Sequence, residues 1–198
     1  MRLFNRLIDP QPEDLLLDVG GYPHIWTAQP QVPRRIDCVN IDPVNWSGED
    51  FPEHRITAVV GDGCELQYDD ASHDVLYSNS VIEHVGDWSR QQALASEVRR
   101  VGRRLWVQTP ARECPIEPHY LAPFVHWMPV GFRRRILRWF TPWGWMTKPS
   151  QATIDETISF TRLLPKRQVM ELFPDCEIMT ERLFWIFPKS YIAYRTGH

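Results

Sequence analysis

The stretch LLLDVGG at residues 15–21 decides the fold of this chain. Its apolar run has the length of one buried strand, and the two glycines that end it permit a tight turn. Residues 88–101 carry apolar side chains at helical spacing, which predicts a helix. Further strands are predicted at residues 35–42, 56–60, 74–79 and 104–109. Because strands that alternate with helices form a mostly parallel sheet covered on both faces, we predict an α/β, Rossmann-like three-layer sandwich.

The second half of the chain breaks this alternation. Residues 111–150 are rich in proline, tryptophan and arginine, and we interpret them as an insertion over the carboxyl edge of the sheet. After it, the sequence predicts a helix at 165–173 and two final strands, 177–184 and 190–195, joined through Pro188. We therefore expect one domain over residues 1–198, in which 111–150 form a pocket and its lid.

Composition excludes several classes of protein. The formal net charge of −3 argues against a general nucleic-acid binder, which carries a basic excess. The four cysteines form no CxxC pair, so we expect reduced thiols and no disulfide framework. We find no signal-peptide pattern and no apolar run of the roughly 20 residues that span a bilayer, and we expect a cytoplasmic protein.

Polar residues and glycines follow the first four predicted strands, where ligands bind in open α/β sheets. Gly20 and Gly21 let the backbone approach a ligand closely. Asp42 ends the second strand, and a carboxylate there can accept both hydroxyls of a ribose. Asp62 follows the third strand and could accept from the exocyclic amine of adenine. The segment that begins at Asn79 and Ser80 points into the same cleft.

These segments together resemble the class I S-adenosylmethionine-dependent methyltransferases of the methyltransferase-11 type. The similar stretches are LLLDVGG at 15–21, VNID at 39–42, VVGDGCELQYDDASHDVLYSNSVIEHV at 59–85 and RRVGRRLWVQTP at 99–110. The resemblance implies S-adenosylmethionine as cofactor and a seven-stranded sheet in the order 3-2-1-4-5-7-6 with strand 7 antiparallel.

The resemblance also implies roles for individual residues. Asp18, Gly20 and Gly21 would surround the methionine part of the cofactor, and Asp42 would bind the ribose diol. Asp62 and Gly63 would flank the adenine, while Asn79 and Ser80 would line the floor beneath the sulfonium.

One departure from the family pattern keeps an alternative open. The family usually has a third glycine in the first loop, whereas here Gly21 is followed by Tyr22, Pro23 and His24. The alternative to an enzyme is therefore an inactive methyltransferase-like module for binding or interaction. A nicotinamide-dependent oxidoreductase fits worse, because the GxGxxG motif is absent.

Two histidines are candidates for the base that a hydroxyl acceptor needs. His84 lies one turn beyond the fourth strand, near the expected position of the methyl group. His119 lies in the insertion, two residues from Glu117, which could orient it. We predict His119 as the general base and His84 as the alternative.

The acceptor is predicted to be a small molecule bound by the insertion. Glu117, His126 and Trp127 are the predicted acceptor-binding residues. The stretch PIEPHYLAPFVHWMP at 115–129 is similar to that of bacterial methyltransferases thought to act on saccharides, which favours a saccharide or a lipid-linked saccharide. We predict no metal site, because the spacing of Glu117, His119 and His126 matches no strong ligand pattern.

An arginine-rich segment, residues 132–140, predicts an amphipathic helix. It would place Phe132, Ile136, Trp139 and Phe140 on one face and four arginines mainly on the other. One interpretation is peripheral contact with an anionic membrane, at the inner face of which the protein would act. The other is a lid helix with its aromatic face turned inward over the acceptor pocket.

Overall fold

The computed structural model describes residues 1–27, 33, 35–46 and 55–197, and its centre is one seven-stranded sheet. The chain order of the strands is β1 Leu15–Val19, β2 Arg35–Asn40, β3 Arg55–Val60, β4 His73–Asn79, β5 Gly102–Pro110, β6 Glu177–Leu183 and β7 Phe187–Arg195. They lie side by side as β3-β2-β1-β4-β5-β7-β6, with β1 to β5 parallel and β7 antiparallel to both of its neighbours. The predicted fold and strand order are thus confirmed.

The final hairpin differs from the predicted one in where it turns. The prediction joined the last two strands through Pro188, but Pro188 lies inside β7 and pairs with Arg182. The turn comes earlier, at residues 184–186. The register of β6 against β7 shifts between Glu181 and Arg182, next to Pro188. A proline is tolerated at such a bulge because the strand pairing does not require a hydrogen bond from its missing N–H group.

Helices cover both faces of the sheet, as a three-layer sandwich requires. They are α1 Arg2–Ile8, α2 His24–Thr27, α3 Trp88–Val101, α4 Val130–Phe140, α5 Pro142–Thr147, α6 Gln151–Phe160 and α7 Lys166–Leu172. One apolar cluster packs α3 and α7 on one face, and a second packs α1 and Trp26 on the other. Asp87 caps α3 by accepting from the backbone N–H of Arg90, and the buried side chains of α3 recur at helical spacing.

The insertion is a separate layer with a small core of its own. A short hairpin, Ile116–Glu117 with Ala122–Pro123, leads into α4, α5 and α6. Their shared core consists of the buried side chains of Tyr120, Ala122, Val125, Leu137 and Ile154. Because α6 belongs to this core, the layer extends past the predicted boundary at residue 150. It closes where Ala111 and Leu164 pair as a parallel bridge.

Helix α4 is amphipathic, and it packs against the rest of the insertion through Leu137, which was not among the residues of its predicted apolar face. Leu137 is fully buried and Ile136 is half-buried, whereas Phe132, Trp139 and Phe140 are 51%, 64% and 72% exposed. The interpretation of a lid helix with its aromatic face turned inward is therefore wrong. None of the described helices combines the length and apolar character needed to cross a membrane.

Candidate active site

A cleft with a volume of about 790 Å³ opens at the carboxyl ends of β1 to β4. Parallel strands bring their carboxyl ends to one edge, so turns that are distant in sequence meet there. The lining includes Val19, Gly20, Val39, Asn40, Ile41, Asp42, Gly61, Asp62, Gly63, Ser80, Val81, His84, Val85, Arg90, Leu94 and Phe160. Six predicted site residues are among them, namely Gly20, Asp42, Asp62, Gly63, Ser80 and His84.

The glycines of the first turn are required by the backbone. Gly20 has a φ of +79°, and a Cβ there would lie 2.5 Å from a methyl group of Val81. A Cβ on Gly21 would lie only 1.6 Å from Oδ2 of Asp18. The side-chain amide of Asn40 donates to the carbonyl of Gly21 over 2.6 Å and fixes the turn from the neighbouring strand. Glycine is therefore required at both positions because the chain packs closely against itself, and it also lets a ligand approach the backbone closely.

Asp18 lies beneath this turn and does not line the cleft. Its side chain is buried, and its Oδ2 accepts a hydrogen bond from Nε1 of Trp26 over 2.7 Å. Burial raises the pKa of Asp18 to about 7, although the hydrogen bond from Trp26 opposes the rise. The predicted residues Gly21 and Asn79 also fall outside the described lining. These three residues support the turns around the cleft.

The two predicted aspartates of the cleft differ in their freedom to bind a ligand. Asp42 ends the turn after β2 with an exposed side chain. Asp62 is paired with Arg90, whose Nη2 lies 2.8 Å from Oδ2, and it accepts from the backbone N–H of Cys64 over 2.9 Å. Partial burial raises the pKa of Asp62, but these hydrogen bonds and the charge of Arg90 outweigh it, so the net shift is downward. Arg90 was not predicted, because nothing in the sequence links it to Asp62.

A chain of three side chains joins β4 to the insertion. His84 and His119 contact each other through their Nε2 atoms at 3.0 Å, and their rings meet edge to face. Nδ1 of His119 donates to Oε1 of Glu117 over 2.6 Å. The other carboxylate oxygen of Glu117 accepts from the backbone N–H of Tyr120 over 2.7 Å, so this buried carboxylate is held at both ends.

The surroundings shift the pKa values of the two imidazoles in opposite directions. Burial acts to lower the pKa of His119, but the hydrogen bond and the charge of Glu117 outweigh it, and the net shift is upward. Burial lowers the pKa of His84, and the charge of His119 lowers it further. A proton shared by the pair therefore resides on His119, where it is stabilised by Glu117.

Glu83, which the prediction missed, lies next to this pair. It is fully buried, and one of its oxygens accepts from the hydroxyl of Thr109 over 3.0 Å. Burial raises the pKa of Glu83 to about 7. Ligand atoms of Glu83, His84 and His119 lie within 4.8 Å of one another, a spacing that could hold a metal ion. The two histidines already have each other as hydrogen-bond partners without one.

A second, smaller cavity of about 280 Å³ lies under the insertion. Its described lining consists of Arg112, Glu117, Tyr120, His126, Arg133, Thr161, Arg162, Leu163 and Gln168. Two of the three residues predicted to bind the acceptor, Glu117 and His126, are in this lining. The third, Trp127, lies outside it, and its Nε1 donates to the backbone carbonyl of Arg112 over 2.9 Å.

Comparison with protein families places these features in a known context. Residues 17–104 match the sequence model of a family described as "Methyltransferase domain". This match runs from within β1 to the start of β5, includes the glycine turn, and stops before the insertion. A search of curated proteins finds no match to the chain.

Solved structures with similar folds include several methyltransferases. One is the 1,6-didemethyltoxoflavin-N1-methyltransferase of Burkholderia thailandensis, with a TM-score of 0.59 at 11% identity over 98% of this chain and 74% of that one. Another is a SAM-dependent methyltransferase of Methanosarcina mazei, at 0.55 and 12% over 98% and 96%. A third is phosphoethanolamine N-methyltransferase 2 of Haemonchus contortus, at 0.57 and 14% over 92% and 37%. At these identities the likeness shows the fold alone.

Proposed function

We propose that the chain is a class I methyltransferase, which carries the methyl group of S-adenosylmethionine to a small-molecule acceptor bound beneath the insertion. One observation carries this proposal. His84 lines the larger cleft, Glu117 lines the smaller cavity, and His119 bridges the two within hydrogen-bond distance. A donor site and an acceptor site are thus separated by a pair of side chains that can move a proton.

The larger cleft fits S-adenosylmethionine in shape and chemistry. Glycine lets the backbone at the floor of the cleft pack closely against the side chains beside it, since a Cβ at Gly63 would lie 2.8 Å from Val19 and from Leu94. Asp42 offers a free carboxylate for the ribose hydroxyls at the end of β2. We assign Gly20 and Ser80 to the part of the cleft that faces the reacting group, and Asp62 and Gly63 to the adenine.

The proton of the acceptor hydroxyl passes to the histidine pair. When bound, S-adenosylmethionine supplies the electrophilic methyl group. His84 takes the proton at its free Nδ1 as the acceptor oxygen attacks, and its Nε2 passes a proton to Nε2 of His119. Glu117 stabilises the imidazolium of His119 through Nδ1. The pair can take up a proton only above the pKa of His119, so transfer is expected to fall off on the acidic side.

The acceptor class is the finer part of the proposal. Proteins of similar structure include methyltransferases of 1,6-didemethyltoxoflavin, of phosphoethanolamine and of magnesium protoporphyrin IX. For this chain we propose a small polar acceptor, with a saccharide or lipid-linked saccharide as the candidate. The polar lining of the smaller cavity, with three arginines, a histidine and a glutamine, supports a polar acceptor over an apolar one.

Calorimetric titration tests the cofactor directly. We expect S-adenosylmethionine and S-adenosylhomocysteine to bind with a one-to-one stoichiometry and NAD to give no heat of binding. Binding of none of the three would favour the inactive interaction module. Binding of NAD alone would overturn the proposal.

Histidine titration by NMR tests the proton pair without knowledge of the acceptor. We expect the pKa of His119 to lie above 6.5 and that of His84 below it. Glu117→Gln removes the charge that raises the pKa of His119 and should lower it, while the conservative shape keeps the hydrogen bond. If Glu117→Gln leaves both titration curves unchanged, Glu117 does not position the pair.

The exposed surface of the insertion is proposed to contact an anionic membrane. Val130, Phe132, Trp139, Phe140 and Trp145 are each at least half exposed on α4 and α5. Arg134, Arg135 and Arg138 lie among them, and no acidic residue occurs between Glu117 and Asp155 in the sequence. Aromatic side chains favour the headgroup region, and each arginine near an anionic surface contributes about 1 kcal/mol.

The hairpin between β6 and β7 adds a second exposed apolar element at the same end of the sheet. Ser190 pairs with Pro110, the last residue of β5, so the turn before it extends beyond the carboxyl edge. Phe184, Trp185 and Ile186 are 73%, 93% and 67% exposed in this turn. Sequence analysis missed this element, because a short apolar run between two strands is typical of a buried segment.

Vesicle co-sedimentation tests the membrane contact. We expect binding to phosphatidylglycerol vesicles at low salt, with weaker binding at high salt and to neutral phosphatidylcholine. Trp139→Ala with Phe140→Ala should weaken it, and Trp185→Ala should do so separately. Met170→Ala, which alters an exposed apolar side chain on α7, is the matched control and should have no effect. Equal and negligible sedimentation in all conditions would contradict the proposal, and a concentration-dependent dimer would assign the surface to a second copy of the chain.

A further inference from the structure

The smaller cavity under the insertion has an unusual concentration of positive charge. Arg112 follows β5, Arg133 lies on α4 and Arg162 follows α6, and all three line the cavity. Within the described residues, none of the three forms an ion pair with a carboxylate. Glu117 is the one carboxylate of the described lining, and its oxygens are engaged by His119 and the backbone of Tyr120. The cavity therefore holds positive charge that no ion pair among the described residues neutralises.

Polar atoms without partners also face this region. Oη of Tyr120, Nδ1 of His126 and Nε of Arg133 are buried and have no hydrogen-bond partner among the described residues. Tyr120 is only 2% exposed, so bulk water does not reach its side chain freely. An unsatisfied buried polar group destabilises a protein, and three of them around one cavity indicate a site built for a polar ligand.

The guanidinium of Arg162 is held in place before any ligand arrives. It donates to the side-chain oxygen of Gln91 and, over 3.1 Å, to that of Gln168. It also lies 5.1 Å above the ring of Trp88. Arg112 and Arg162 line the same cavity and are close enough for their charges to interact. Burial lowers the pKa of Arg162, and the charge of Arg112 lowers it further. Such preorganisation favours a ligand that brings negative charge.

We propose that this cavity binds a phosphate monoester group carried by the acceptor, an inference that rests on the proposed methyl transfer. Three guanidinium groups from three segments match a dianion better than a single carboxylate. A guanidinium pairs with two phosphate oxygens at once, and a tetrahedral group offers oxygens in several directions. The hydroxyl of Tyr120 and the amide of Gln168 can satisfy the remaining oxygens.

The position of the cavity fits an acceptor held at its far end. Glu117 belongs both to the cavity lining and to the chain that leads through His119 to His84 in the cofactor cleft. The backbone N–H of Arg162 donates to the backbone carbonyl of Glu83 over 2.7 Å, which joins the cavity lining to the residue before His84. A phosphate in the cavity therefore anchors the molecule while its nucleophilic atom reaches toward His84.

Calorimetric titration with methyl phosphate, inorganic phosphate and acetate tests this assignment. We expect methyl phosphate to bind and acetate to bind at least about tenfold more weakly. Arg133→Gln and Arg112→Gln should each weaken methyl phosphate about tenfold or more. Arg135→Gln is the matched control, because Arg135 lies on the same helix, is exposed and does not line the cavity. S-adenosylmethionine affinity should be unchanged in all three variants, so failure here is distinct from failure of the proposed function.

The remaining outcomes decide the source and the nature of the anion. If the phosphate belongs to a lipid headgroup, Arg133→Gln should also weaken binding to phosphatidic acid vesicles, whereas a soluble phosphate ester leaves vesicle binding unchanged in that variant. Acetate binding as tightly as methyl phosphate would overturn the phosphate assignment. Equal methyl phosphate affinity in the parent, Arg133→Gln and Arg135→Gln, or no binding at all, would overturn the site.

Discussion

The cofactor cleft and the cavity under the insertion are neighbouring sites built by opposite means. Turns at the ends of four parallel strands form the cleft, which includes the acidic side chains of Asp42 and Asp62 and which we propose as the donor site. Long arginine side chains from separate helices and loops line the cavity, which suits the negatively charged acceptor that we propose. The difference teaches that the backbone of this fold shapes the cleft, whereas side chains shape the cavity.

The two regions also differ in what holds them together. The cleft shares Val19, Val39 and Leu94 with the larger apolar cluster of the sheet, whereas the insertion has a small cluster built around Leu137 and Tyr120. A smaller core stabilises less, because the free energy of folding follows the apolar area buried. The insertion is therefore expected to open locally without loss of the sheet.

The largest expected effect comes from a backbone change in the cleft. Gly21→Ala places a Cβ 1.6 Å from the carboxylate of Asp18, so the turn has to move. We expect binding of S-adenosylmethionine to be abolished in calorimetry. The control is Gly131→Ala on α4, where nothing lies within 4 Å of the added atom, and which should stabilise the helix by about 0.5–1 kcal/mol. Normal cofactor binding in Gly21→Ala would show that the backbone does not fix the donor site.

A core change in the insertion should have the next largest effect, on stability alone. Leu137→Ala removes a fully buried side chain, which typically costs about 2–5 kcal/mol. Hydrogen exchange should accelerate in α4 to α6, while the amides of the sheet stay protected and cofactor affinity is retained. Trp139→Ala, at an exposed position of the same helix, should leave exchange unchanged. Loss of protection throughout the sheet would mean that the two regions fold as one unit.

A side-chain change in the cleft should have a smaller effect. Asp42→Ala leaves the ribose hydroxyls without their charged acceptor, and we expect S-adenosylmethionine to bind about tenfold more weakly or worse. Asp69→Ala changes an exposed acid outside the described lining of the cleft and serves as the control for net charge. Equal affinities in the two variants would place the ribose elsewhere.

The effect that is smallest for each experimental step is a change in how stability depends on pH, because it is spread over about three pH units. The pKa of Asp18 is raised to about 7 in the folded protein from an ordinary value of 3.8, so the folded state binds this proton more tightly. The free energy of unfolding should therefore fall as pH rises from about 4 to 7, by at most ~1.4 kcal/mol per pH unit from this group. Asp18→Asn should flatten the profile and be the more stable protein above pH 7. Parallel unfolding profiles for the two proteins would rule out a buried titration at Asp18.

The sequence predicts which turns line the larger cleft, because the signals for these turns are local. A strand that ends in Gly20 and Gly21, or in Asp42, carries its own indication of where the chain turns. The register of parallel strands then brings these ends together without further information. The position of His84 at the cleft was predicted in the same way, from its place one turn beyond β4.

The sequence predicts the insertion less well, because its contacts join distant residues. The contact between His84 and His119 spans 35 positions, and the one between Gln91 and Arg162 spans 71. The amphipathic pattern of α4 indicated a helix but not which face would pack, since Leu137 and the aromatic residues are all apolar. The buried carboxylate of Glu83 was missed for the same reason, because burial is a property of the tertiary structure.

The bridge between Ala111 and Leu164 gives the insertion the character of an exchangeable cassette. Its two ends meet beside β5, where the backbone N–H of Arg112 also donates to the carbonyl of Leu164 over 3.2 Å. A loop whose ends already touch can change in length at little entropic cost, because closure depends only weakly on the number of residues enclosed. The proposed acceptor site can therefore be exchanged in evolution while the proposed donor site stays intact. A designer can likewise insert a segment with a different specificity between Ala111 and Leu164.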